Sequence, residues 1–318
     1  MIRISLLAAV IASLAGAPGR AADRFDTKAV DFALAFKGET SAYRDVAMFV
    51  MPGESVTLEA VGGPAGDYTI TTDQGVLVQT AARKWKWDAP GTPRLSTLRV
   101  DGPAKKDAMT VHAFVMVPAS NVRNGLLNGY RIGEYPAKPL KGNPIYLPPA
   151  GFVEVTKENR DTKLSPHFTL KQFLCKEDTS DKYPKYVIVK ERLPLKLEAI
   201  LERVNALGFH VDTLHVMSAY RTPYYNHAIG DVLYSQHQWG SAADIYVDPT
   251  DSSRMEDLNG DGKIDADDSR YLYDEIERLT SAPNLRKFEG GLGFYPGTSA
   301  HPPFVHVDVR GAKARWKG

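Results

Sequence analysis

The sequence predicts two folded units of different class: an all-β sandwich of immunoglobulin-like type over residues 23–120 and a mixed domain of helices and strands over 164–318. Three observations carry this. Short alternating runs at 55–60, 68–72, 95–100 and 110–117 are separated by turn residues such as Gly62-Gly63-Pro64 and Asp101-Gly102-Pro103, the spacing of a sandwich. Between the units, residues 121–163 are rich in proline and tyrosine (Pro136, Pro139, Pro144, Pro148, Pro149, Tyr130, Tyr135, Tyr146) and read as a linker with extended segments, the tyrosines favouring an ordered strap across both units over a floppy tether. Beyond it the hydrophobic period changes. Leu197, Ile200, Leu201 and Val204 mark a helix that opens near Pro194 and stops at Gly208, while 213–217, 242–247 and 304–309 read as strands.

Residues 1–22 precede the first unit. Arg3, an apolar run from 4 to 17, and a small-residue segment ending at Ala22 have the layout of a secretory signal peptide. Pro18 breaks the run before it is long enough to span a bilayer, and no transmembrane anchor is expected elsewhere. The protein is therefore expected in the periplasm or outside the cell. With 39 Lys and Arg against 38 Asp and Glu, the chain has no basic field for nucleic acid. One cysteine, Cys175, excludes both an internal disulfide and a zinc–thiolate cluster.

In the first unit, Lys84-Trp85-Lys86-Trp87 puts two tryptophans on one face of a strand, a core reading in preference to a glycan platform. In the second, Thr169 to Gln172 forms a capping box before a short helix. His215 alternates with core residues in the 213–217 strand and reads as structural.

The chemistry concentrates at 234–248, Tyr-Ser-Gln-His-Gln-Trp-Gly-Ser-Ala-Ala-Asp-Ile-Tyr-Val-Asp. His237 and Asp244 stand on the two arms of a tight turn that Gly240 and Ser241 permit. His306 projects from the 304–309 strand. One carboxylate and two imidazoles match the ligand set of a catalytic zinc, which keeps a coordination position open. A second metal pattern is the twelve-residue loop at 257–268. Oxygen donors Asp257, Asn259, Asp261, Asp265 and Asp268, a carbonyl at Lys263 and the turn glycine Gly262 fall in the register of a calcium loop. Asp268 replaces the usual glutamate of the last position.

Ser235-x-His237-x-x-Gly240-x-Ala242-x-Asp244, with the later strand-borne His306, resembles the zinc D-alanyl-D-alanine carboxypeptidases and related murein endopeptidases of bacteria. The likeness takes in Ser218-Ala-Tyr-Arg-Thr-Pro223 and the segment 164–173, and it covers 164 to the C-terminus. The resemblance implies a small α+β domain with zinc lying on a sheet, peptidoglycan as partner, and Zn2+ as cofactor; the 257–268 loop adds a structural Ca2+ on its own donor pattern. The resemblance also implies substrate contact by Arg221, with Ser218 and Tyr220 beside it. Many relatives carry a histidine two residues before the last ligand, where this chain has Phe304. His301 and Asp308 are then the candidates for the general base, Asp308 also fitting a partner to a ligand histidine. A zinc-containing wall-binding module without activity is the other reading, motivated by Phe304.

Overall fold

The computed structural model describes residues 25–103, 107–177 and 179–318; the expected signal peptide, 1–22, lies outside them. The first nine strands are β1 (Ala29–Phe36), β2 (Glu39–Tyr43), β3 (Asp45–Val50), β4 (Ser55–Val61), β5 (Thr69–Thr72), β6 (Val76–Ala81), β7 (Lys84–Asp88), β8 (Arg94–Asp101) and β9 (Ala108–Val115). They form two sheets, in the orders β2-β1-β4-β7-β6 and β3-β9-β8-β5. Alternation along each strand sends one row of side chains inward. Phe32, Leu34, Val56, Leu58, Trp85 and Trp87 of the first sheet meet Met48, Leu98, Val100, Val111 and Ala113 of the second in one core. Both tryptophans are core residues: Trp87 is fully enclosed, and its ring nitrogen donates to Gln74 O at 3.0 Å.

The linker takes the form of the ordered strap that its tyrosines favour. Strand β10 (Val117–Pro118), the hairpin β11 (Leu126–Leu127) and β12 (Tyr130–Arg131), and β13 (Gly151–Val155) run across the second unit. After them come β14 (Lys163–Ser165), β15 (Phe168–Thr169) and β16 (Lys185–Val187), and β10, β13 and β16 make a three-stranded sheet. Tyrosines rather than flexibility decide this. Tyr135 donates to Gln238 O at 2.9 Å, Tyr146 packs edge-on against Trp239, and the Trp239 indole donates to Leu147 O. The capping box at Thr169 and Gln172 is present, but it closes a single 3-10 turn, Leu170–Phe173.

The second unit continues with α1 (Arg192–Ala206), β17 (His215–Ser218), α2 (Pro223–Ala228), β18 (Ala242–Tyr246), α3 (Ala266–Thr280), β19 (Gly291–Tyr295), β20 (Phe304–Asp308) and β21 (Ala314–Lys317). Its sheet runs β17-β18-β20-β19-β21. Every residue of β18 and of β20 is buried, as central strands covered on both faces must be. Helix α1 separates the two units and serves both. Leu193, Leu197, Ile200, Leu201 and Val204 enter the core of the second unit, while Leu195 and Ala199 enter the sandwich core. Arg192 pairs with the buried Glu39, and Tyr43 donates to Glu202.

Because Trp87 fills the centre of the sandwich, Trp87→Ala is expected to cost about 3–5 kcal/mol. Urea unfolding followed by circular dichroism measures it; a loss below about 1 kcal/mol would place the indole outside the core.

Candidate metal centre

The turn before β18 sets the site. Residues Gln236–Trp239 form a 3-10 turn that ends at Gly240, in the left-handed conformation at φ 64°. A Cβ there would stand 2.2 Å from Ile188 O, so both the dihedral and the close approach demand glycine. The reversal aims His237 back over β18. On the sheet, Asp244 and His306 are direct cross-strand partners of β18 and β20, which brings their side chains together on one face.

The three candidate ligands converge. His237 Nε2 lies 3.2 Å from Asp244 Oδ1 and 3.1 Å from His306 Nδ1, and His306 Nδ1 is 2.9 Å from Asp244 Oδ1. The far side of each group shows what the near side carries. His237 Nδ1 is 2.6 Å from the carbonyl of Ala219, which can only accept, so the ring proton sits there and Nε2 is a lone pair. His306 Nε2 faces Asp308 Oδ2 at 3.4 Å, a partner that can hold a proton on that nitrogen and free Nδ1 for a ligand bond. With both rings in those tautomers, three lone pairs point at one another. Neutral imidazoles and a carboxylate in that arrangement repel unless a cation lies between them. Donors around a tetrahedral zinc, with bonds of about 2.0–2.1 Å, sit about 3.3 Å apart, so the residues fit the ion.

The electrostatics favour the ligand form at two of the three groups; at His306, burial lowers the pKa but the contacts with Asp244 and Asp308 outweigh it and raise it, as two carboxylates do to an imidazole with no cation between them. Burial lowers the His237 pKa, favouring the neutral ligand form, against the pull of Asp244. For Asp244 burial opposes ionisation, but His237 and His306 overcome it and hold the carboxyl well below its usual range. Asp244 Oδ2 accepts from Arg221 Nη2. The same guanidinium donates to Ser218 Oγ at 2.9 Å and to Asp231 Oδ2 at 2.8 Å. Arg221 therefore fixes the rotamer of Asp244 and lines the cleft. Asp308 is fully enclosed: it accepts from Gly291 N at 2.7 Å and from Arg310 Nε at 2.8 Å. Its contacts make it the partner that orients His306, and they leave it no access to water as a base.

A cleft of about 420 Å3 opens over the triad, lined by Arg221, Asp231, Val232, Tyr234, Ser235, Gln236, Tyr295, Phe304, Arg310 and Trp316 with the three ligands. Phe304 stacks on Tyr295 at 4.5 Å, and Trp316 leans on His306 at 5.1 Å. Three expected residues fall elsewhere. Ser218 is buried and accepts from Arg221 without lining the cleft. Tyr220 is buried, with its hydroxyl 3.2 Å from that of Tyr135, so it belongs to the strap contact and not to the cleft. His301 packs edge-on against the outer side of Phe304 and lines a neighbouring groove between the 262–267 and 296–303 segments. Asp231, Arg310 and Trp316 were not singled out by the sequence. No spacing marks them, since they reach the cleft from two separate loops and from the last strand.

The 257–268 loop closes on itself. Asp257 accepts backbone N–H groups of Gly260, Asp261 and Gly262, Asn259 that of Asp261 and Asp261 that of Lys263. The buried Asp268 accepts those of Leu258 and Asn259 on one oxygen and of Asp265 on the other. Among the described residues, the sets of three His, Cys, Asp or Glu with converging ligand atoms are His237, Asp244, His306 and His215, Asp248, Asp251; the loop is not one of them.

A model of the Peptidase M15 family matches residues 166–264. The domain is similar to the M15 zinc peptidases. The matched span contains Arg221, His237 and Asp244 but ends before His306, so the third ligand rests on the geometry just given. The match supports a zinc-dependent metallopeptidase. No curated protein matches the chain.

Arg221→Lys keeps a positive charge but loses the planar fork that grips Asp244. It is expected to weaken zinc binding about 10–100-fold with an unchanged far-UV spectrum, measured by competition with a chelating dye. Unaltered affinity would separate Arg221 from the metal.

Proposed function

We propose that the protein is a zinc-dependent peptidase of the cell wall, hydrolysing D-amino-acid-containing stem peptides of peptidoglycan or their cross-links. The observation that carries this reading is the convergence of His237, Asp244 and His306 at the base of a cleft, in a domain matched by the M15 family. When bound there, zinc supplies a Lewis acid that polarises a peptide carbonyl and acidifies water. The chain's own residues do the rest. Arg221 and Asp308 hold the ligands in place, and Tyr295, Phe304 and Trp316 wall one side of the cleft. Proton transfer needs a base that meets solvent within the cleft. Asp231, whose side chain is 27% exposed, meets that need where the enclosed Asp308 and the displaced His301 do not. The signal-peptide pattern of residues 1–22 supports a periplasmic or secreted enzyme, with the sandwich, read as immunoglobulin-like, as a spacer or docking module.

Within that class we favour a cross-link endopeptidase over a carboxypeptidase. A carboxypeptidase needs a cation free to grip the terminal carboxylate. Both arginines of the cleft already face carboxylates: Arg221 holds Asp231 and Asp244, and Arg310 holds Asp308.

Purified sacculi treated with the protein are expected to release muropeptides, and a chelator should abolish release. A cross-linked dimer should turn over faster than a free pentapeptide; hydrolysis of the pentapeptide alone would reverse the preference. Asp231→Asn is expected to retain zinc and to lower kcat about 10²–10³-fold. Retention on sacculi without any turnover would favour the non-catalytic wall-binding module that Phe304 suggests.

We also propose that the 257–268 loop takes a structural Ca2+. The register of its oxygen donors supports this, as do the left-handed Gly260 and Gly262 at φ 76° and 84°, which let the loop fold back on itself. A ligand that binds only the folded state raises its melting temperature. Millimolar calcium is expected to raise Tm, equimolar magnesium to do so far less, and Asp261→Ala to remove the difference. A melting curve indifferent to calcium would refute the site.

A further inference from the structure

We propose that the second unit holds another divalent-cation site, built by His215, Asp248 and Asp251 at the opposite end of the strand that carries Asp244. One ligand atom from each residue lies within 4.8 Å of the others. Donors around a single first-row ion stand about 3–4 Å apart, so a small rotation of the exposed Asp251 side chain closes the set. Among the described residues only this group and the zinc triad bring three such side chains together.

The three residues come from two segments that the sheet holds side by side. His215 opens the edge strand β17 and is the cross-strand partner of Tyr246. Its ring stacks on that tyrosine at 4.4 Å with an interplanar angle of 13°, so the imidazole is held in one orientation. Asp248 follows two residues after Tyr246, just past the end of β18, and its carboxylate meets the His215 imidazole there. Its carboxylate is braced as metal-ligand carboxylates are. One oxygen accepts from the backbone and hydroxyls of Thr250 and Ser252. The other accepts only the N–H of Ser253, at 2.8 Å, and keeps a lone pair for a ligand. Asp251 closes the turn from the solvent side.

These residues line a separate cleft of about 450 Å3, together with His210, Asp212 and Lys176. His210 and Asp212 add an imidazole and a carboxylate within reach of the same space, leaving Lys176 as the cation that an ion would displace or repel.

Donor chemistry selects the ligand. An imidazole with two carboxylates suits zinc or manganese, whereas calcium and magnesium prefer oxygen throughout. The four residues from Asp244 to Asp248 separate the two sites by about 13 Å at roughly 3.3 Å per residue. Co-catalytic metal pairs stand about 3.5–4 Å apart, so this is an independent site. It joins the edge strand to the long segment between β18 and α3, and its occupancy does not depend on the peptidase reading.

The test is zinc stoichiometry of the full mature chain. The protein is stripped with chelator, equilibrated with micromolar zinc in millimolar calcium, and assayed by elemental analysis after dialysis. Wild type is expected to bind two zinc ions, His306→Ala one, His215→Gln one, and the double variant none. Asp251→Asn, at an exposed position that cannot unfold the domain, should also bind one, which keeps the test decisive if His215→Gln fails to fold. A single zinc in wild type, or two zinc ions retained by both His215→Gln and Asp251→Asn, would overturn the proposal.

Discussion

The candidate metal centre rests on a convergence of ligand atoms that a cation would resolve. His237 Nε2, His306 Nδ1 and Asp244 Oδ1 meet within 3.2 Å of one another, and each group is held by a partner on its far side. Ala219 O fixes the His237 tautomer, Asp308 faces the far nitrogen of His306, and Arg221 occupies the second oxygen of Asp244. Buried acceptors without donors are costly. Much of the surrounding fold can be understood as the framework that keeps them together.

That framework has three parts. The register of β18 against β20 sets Asp244 beside His306. The left-handed turn at Gly240, seated against Ile188 O, swings His237 over them. Behind the sheet, α1 supplies a rigid floor, and Lys196 within it donates to Asp308 O at 2.7 Å, with burial bringing its own pKa down to about 8. The helix also faces the sandwich core through Leu195 and Ala199. The β-rich unit therefore packs directly on the element that supports the metal sheet.

The proline- and tyrosine-rich strap makes the same point about composition. Prolines remove backbone donors and favour extended chain, which in isolation suggests a tether. Here the tyrosines supply the missing order: Tyr135 reaches the carbonyl of Gln238, one residue past His237, and Tyr146 and Trp239 pack edge to face. The segment thereby buttresses the turn that aims the first ligand.

Much of this was legible in the sequence, and the reasons are local. Strand alternation identified an all-β first unit and placed Trp85 and Trp87 inside it, because burial on a pleated strand has period two. The spacing from His237 through Gly240 to Asp244 marked a candidate metal turn, since only glycine accepts that dihedral and contact. A lone His306 on a valine-backed strand completed the set. What the sequence could not decide is which side chains share a cleft across distant segments. Tyr220 lies in the same short motif as Arg221, yet it turns into the strap, while Asp231, Arg310 and Trp316 enter the cleft from two separate loops and the final strand. His215 reads as a core residue until β17 pairs with β18 and sets it beside Asp248 and Asp251. Residue type and spacing determine what a side chain can do; strand pairing and the direction of each Cα–Cβ bond determine what it meets, and those are properties of the folded chain alone.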